Sequence, residues 1–172
     1  MKIYLIRHTS VDVPKGICYG QTDVALNVSF EEEAAKVKTD LGHIKPDVGF
    51  SSPLSRCTQL ARFCKVENVI LDNRLKELDF GDWEGKEWNN IDLSVWKTDW
   101  INSSVPNGES FIKMYERVAS FFDQLRKENY DTAIVFTHGG VINCARVYFR
   151  KTELLNAFAW IPKYGEIVEF DL

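Results

Sequence analysis

The chain has 172 residues, 45% of them apolar and 27% charged, with 21 basic against 25 acidic side chains and a formal net charge of −4. One domain spanning 1–172 is expected, large enough to build a core without disulfide or metal staples. Whole-chain disorder, collagen and coiled coil are excluded, and nothing approaches the ~18 apolar residues of a membrane span.

Lys2 to Ile6 is a short apolar run with the β-branched and aromatic bias of a buried strand. It is too short for a signal peptide, so a cytoplasmic protein is expected. A polar, glycine-bearing loop follows from Arg7 to Asn27. Ser29 and Glu32 match a capping box, opening a helix that stops at Gly42. A second strand is predicted over Asp47 to Phe50, a helix from Leu54 to Cys64, and a third strand over Asn68 to Leu71. Arg74 to Asn107 is irregular and holds Trp83, Trp88, Trp96 and Trp100, as packing or as a lid. Pro106 to Glu109 reads as a helix entry, and the helix that follows has Phe111, Tyr115, Val118, Phe122 and Leu125 along one stripe. Thr132 to Thr137 is a fourth strand, and His138-Gly139-Gly140 leads into a helix to Phe149. A last strand pair is predicted at Phe158 to Ile161 and Glu166 to Phe170.

Strands alternating with helices predict an α/β domain with a largely parallel sheet. Cys18, Cys57, Cys64 and Cys144 have no zinc or disulfide spacing, and Cys57 and Cys64, seven apart in a helical pattern, are expected as buried thiols. No basic run appears, so neither nucleic acid nor a membrane surface is an expected partner. An anionic substrate would need cations gathered locally. Sites in parallel sheets lie beyond the carboxyl ends of strands. Three polar clusters fall there: Arg7-His8-Thr9, Ser51 to Arg56, and Thr137-His138-Gly139-Gly140. If they meet, two histidines and two arginines share a pocket. Guanidinium forks match phosphoryl oxygens, and a helix opening at Gly139-Gly140 adds N–H donors. His43, beside Gly42 at a helix end, has no motif around it.

Four blocks in this order resemble the histidine phosphatase (phosphoglycerate mutase-like) superfamily. They are Arg7-His8-Thr9, Ser52-Pro53-Leu54-Ser55-Arg56, Glu77 to Gly85, and Thr137-His138-Gly139-Gly140. Within that superfamily, Gly16 to Asp23 is most similar to the α-ribazole phosphatases, which remove the 5′-phosphate of α-ribazole phosphate in cobalamin assembly. The resemblance implies a three-layer fold, with a mostly parallel central sheet and helices on both faces. It implies a small phosphorylated metabolite as substrate and no metal or cofactor. His8 would be the nucleophile, Arg7 and Arg56 a phosphoryl clamp, and His138 a donor across the pocket. Glu77 would protonate the leaving group and then activate water. Gln21, Thr22 and Gly139 would touch the substrate, while Glu84 holds the loop. The chain departs from the family at Thr9, Ala25, Cys57, Leu60 and after Leu26; none of these removes a catalytic group, and the changes near Leu26 bear on substrate identity. The alternatives are a broad or sugar-phosphate phosphatase and an inactive phospho-ligand module. A homo-oligomer is compatible with the aromatic density.

Overall fold

The computed structural model describes residues 1–172. In chain order its elements are β1 (Lys2–Arg7), α1 (Phe30–Leu41), β2 (Val48–Ser51), α2 (Ser55–Phe63), β3 (Ile70–Leu71), α3 (Ser94–Asp99), α4 (Phe111–Leu125), β4 (Thr132–Thr137), α5 (Gly139–Tyr148) and β5 (Ile167–Asp171). Short 3₁₀ turns cover Asn73–Leu75, Gly81–Trp83, Trp88–Asn90 and Leu154–Ala159. The strands form one sheet in the order β3-β2-β4-β1-β5. All neighbours are parallel except β5, which runs antiparallel to β1.

Alternation along the strands splits the core in two. Ile3 and Leu5 of β1 and Ala133 and Val135 of β4 pack with residues of α4 and α5. Ile6, Ile134 and Phe136 pack with α1 and α2 on the other face. The result is the expected three-layer α/β fold. Helix α4 buries Phe111, Met114, Val118, Phe121, Phe122 and Leu125, while Tyr115 is half-buried. Each fully buried side chain of this size contributes roughly 1.5–3 kcal/mol, which ties α4 to the sheet.

Two local expectations need correction. The capping box does not form: Ser29 Oγ donates to Glu33 Oε1 at 2.6 Å. Glu33, not Glu32, is the partner because it also accepts the Ser10 N–H at 2.8 Å. Helix α4 follows the Pro106 to Glu109 entry directly, capped by Ser110, whose Oγ accepts from Lys113 N–H. Phe158 to Ile161 is not a strand. The free edge of β1 is taken by β5 alone, and Phe158 and Ile161 line a cleft instead. The four thiols are free as expected, but Cys64 is only half-buried. No helix is long and apolar enough to cross a membrane.

Candidate active site

The parallel register of β1 on β4 pairs Arg7 with Thr137. His8 and His138 therefore leave adjacent strands side by side, with ring centroids 5.2 Å apart. On the other side of β4, Ser52 N–H donates to the Phe136 carbonyl at 2.9 Å and brings the start of α2 to the same edge. All three predicted clusters meet at the carboxyl ends of the strands. A separate cavity of about 610 Å³ beside Asp47 and Val48 lies at the amino end of β2, away from these groups.

His8 is buried, and its Nδ1 lies 2.7 Å from the Thr9 carbonyl oxygen. A carbonyl only accepts, so Nδ1 carries the proton and Nε2 the lone pair. Burial, then the Arg56 and Arg7 charges, push the pKa of His8 from 6.5 down to about 3, against the opposing pull of the Thr9 bond. His8 is thus neutral at pH 7. His138 is also fully buried, and burial followed by the charge of Arg56 holds it well below the usual histidine range. Its Nε2 lies 2.8 Å from Ser52 Oγ. Leu54 N–H donates into that oxygen, which directs the hydroxyl proton at Nε2. On that assignment Nδ1–H is the donor of the His138 ring.

Arg56 is completely buried. It donates to the Thr22 carbonyl at 3.0 Å and the Gly20 carbonyl at 2.5 Å. Arg7 donates to the Pro162 carbonyl at 2.5 Å. Its guanidinium lies 4.0 Å from the centroid of the Tyr164 ring. Neither arginine has a carboxylate partner: the ion pairs are Lys2–Glu169, Arg74–Asp72 and Arg117–Glu109. The Nε atoms of both are buried and unpartnered. Burying an unpaired cation costs several kcal/mol, so this arrangement is built to receive an anion.

Glu77 sits opposite, with its carboxylate pinned at both oxygens. Leu78 N–H donates to Oε1 at 3.0 Å and Gly140 N–H donates to Oε2 at 3.1 Å. The Gly140 donor thus serves the carboxylate and not a phosphoryl group as the sequence predicts. A Cβ at Gly140 would overlap Glu77 Oε1. Gly140→Ala is therefore expected to lower kcat about 100-fold by displacing Glu77, since about 1 Å of misplacement has that cost. Its melting temperature should change little, because alanine favours a helix by about 1 kcal/mol over glycine. Steady-state rates beside a thermal melt check both, and an unchanged kcat would refute the role of this contact.

Gly139 lines a cleft of about 290 Å³ together with Arg7, His8, Tyr19 and Glu77. Gln21 and Thr22 are not brought into it. Their backbone N–H groups donate to Glu84 at 2.8 and 2.6 Å, and the Thr22 hydroxyl also goes to Glu84. The Gln21 amide donates to the Glu77 carbonyl at 3.1 Å. Asp23 accepts from Ser55 N–H and Oγ. The Gly20 to Asp23 segment therefore builds the seat of Arg56, and Glu84 holds that seat, as expected. Arg117 on α4 was not anticipated. It donates to the carbonyls of Arg74, Lys76 and Glu77 at 2.7, 2.7 and 2.9 Å and pairs with Glu109, fixing the segment that carries Glu77. Tyr164 was also missed. Its hydroxyl lies 2.9 Å from that of Tyr19, and its ring lies beside His8. Sequence spacing holds no signal for either residue.

The family model of the histidine phosphatase superfamily (branch 1) matches residues 3–172. The adenosylcobalamin/α-ribazole phosphatase of Escherichia coli K12 is 28% identical over 155 residues, 83% of this chain and 76% of that protein. Phosphoserine phosphatase 1 of Hydrogenobacter thermophilus is 28% identical over 150 residues, 80% of this chain and 71% of that protein. The crystal structure of the α-ribazole phosphatase from Shigella flexneri matches with a TM-score of 0.91 at 24% identity, covering 100% of this chain and 91% of that one, which is a likeness of fold.

Proposed function

Because this chain belongs to the histidine phosphatase superfamily (branch 1) and is a phosphatase, we propose that it hydrolyses a phosphomonoester through a phosphohistidine on His8. One observation carries this reading: a neutral histidine with a free Nε2 lies beside a fully buried Arg56 and a half-buried Arg7, neither of which has a counter-anion. In the first step the Nε2 lone pair attacks phosphorus and the bond to the ester oxygen breaks. Glu77 acts as the general acid that delivers a proton to the leaving alkoxide. In the second step Glu77 takes a proton from water as that water attacks phosphorus. The P–N bond breaks, and His8 returns neutral with its Nδ1 proton in place. Arg7 and Arg56 hold the phosphoryl oxygens, and His138 donates to the charge that builds on them. Gly139 borders the substrate. Gln21 and Thr22 act by positioning Arg56 rather than by touching the substrate.

The substrate we propose is α-ribazole 5′-phosphate, in the assembly of cobalamin. Two observations support it: the sequence of the Gly16 to Asp23 segment, which is similar to that of the α-ribazole phosphatases, and the name of the Escherichia coli relative. Phosphoserine is the competing substrate, since a relative of that name is equally identical. Phosphate release from the two compounds, in excess chelator, separates them. A kcat/KM above about 10⁴ M⁻¹s⁻¹ on α-ribazole 5′-phosphate, with phosphoserine at least about tenfold poorer, is expected. The reverse order would keep the chemistry and discard the substrate.

A further inference from the structure

The catalytic cleft does not end at its own walls. Leu78, Phe80, Phe158 and Ile161 border it, and the same four residues border a neighbouring cavity of about 640 Å³. That second cavity is apolar. Trp96, Trp100, Phe111 and Leu155 add to its lining, and Asn156 is its one polar residue. Trp100, Phe111 and Phe158 form a triangle of rings with centroids 5.1, 5.6 and 4.9 Å apart. Such a packed aromatic wall offers flat, edge-to-face contact surface. Leu155, Phe158 and Ile161 are 67%, 40% and 54% exposed, so nothing in the chain covers them.

We propose that this lobe is the subsite for the leaving group, and that it takes a flat, uncharged aromatic group. The proposal rests on the reading that places the phosphoryl group at His8, Arg7 and Arg56. A monoester held there must direct its ester substituent away from the arginines, and the four shared residues connect the cleft to the apolar lobe. No charged side chain lines the lobe. A zwitterionic or carboxylate-bearing leaving group would lose its hydration there without gaining a partner. An aromatic group would lose only unfavourable contact with water. The occupant is thus part of the substrate, and the lobe selects among monoesters that the phosphoryl site itself treats alike.

Two phosphonates that resist hydrolysis test the lobe without relying on turnover. Calorimetry of methylphosphonate and 1-naphthylmethylphosphonate compares the phosphoryl site alone with the site plus the lobe. The naphthyl compound is expected to bind at least about tenfold more tightly, roughly 1.4 kcal/mol. Leu155→Asp places a charge at an exposed position of the lobe and should bring that ratio to within about threefold. Phe158→Ser should do the same by removing the shared wall. Equal affinities in the unsubstituted protein, or a ratio unmoved by both substitutions, would overturn the subsite. So would a dimer in sedimentation whose naphthyl compound gains nothing, since a second copy would then cover the lobe. Failure of both phosphonates to bind would instead strike the anion site at His8, and the subsite would fall with it.

Discussion

His8→Ala is expected to lower kcat by about 10⁴-fold or more, because it removes the atom to which phosphorus bonds. What survives in the variant is as informative as what is lost. Arg7 and Arg56 keep their carbonyl partners at Pro162, Gly20 and Thr22, so the anion site should still bind inorganic phosphate. The Thr9 carbonyl loses its buried donor, which costs about 1–3 kcal/mol of stability, and the fold should survive that. Rapid quenching of the unsubstituted protein should trap a phosphoryl group that is labile in acid and stable in alkali, as expected of a phosphorylated imidazole. The same quench of His8→Ala should trap none. Turnover in the unsubstituted protein should persist in excess chelator, since two guanidinium groups supply the positive charge. A variant that keeps its rate would remove His8 from the mechanism. An unsubstituted protein with no turnover to lose would favour the binding-module alternative.

The parts of this site that could be seen in the sequence share one property: they follow directly from strand periodicity. Buried parallel strands are short apolar runs, and β1, β2 and β4 each end in a polar cluster. Parallel pairing then had to bring Arg7-His8, Ser52 and Thr137-His138 to one edge. The resemblance added Glu77, which periodicity alone could not place. Contacts closed over long sequence distance left no such trace. Arg117 reads as one polar position on an amphipathic helix, yet it holds three carbonyls some forty residues away. Tyr164 is 156 residues from His8, and only the turn at Gly165, whose N–H donates back to the His8 carbonyl, brings it there. Phe158 to Ile161 has strand-like residues, but these serve as cleft walls. The Ser29–Glu32 pattern was overridden because Glu33 had a second donor to satisfy in Ser10. In each case a tertiary partner decided what local pattern left open.

The two buried histidines should also make the protein unusually sensitive to mild acid. An unfolded histidine takes up a proton near pH 6.5, whereas folded His8 does so only near 3. Between those values the unfolded chain holds more protons, so stability falls as pH falls through that window. For His8 alone the loss between pH 7 and pH 5 is about 2 kcal/mol. His138 is lowered for the same first reason, burial, and adds in the same direction. The charges of Arg56 and Arg7 deepen both shifts, so an anion that neutralises them should reverse part of the effect. Sulfate is a suitable probe because its charge is constant over this range. Urea unfolding at pH 7 and pH 5 is therefore expected to show a steep loss of stability, reduced by sulfate. In His8→Asn the loss should be smaller by about 2 kcal/mol, because the titrating group is gone. A slope that is the same in both proteins would mean that His8 is not held neutral by the fold. The lone pair on Nε2 would then be no more available in the folded site than in the unfolded chain.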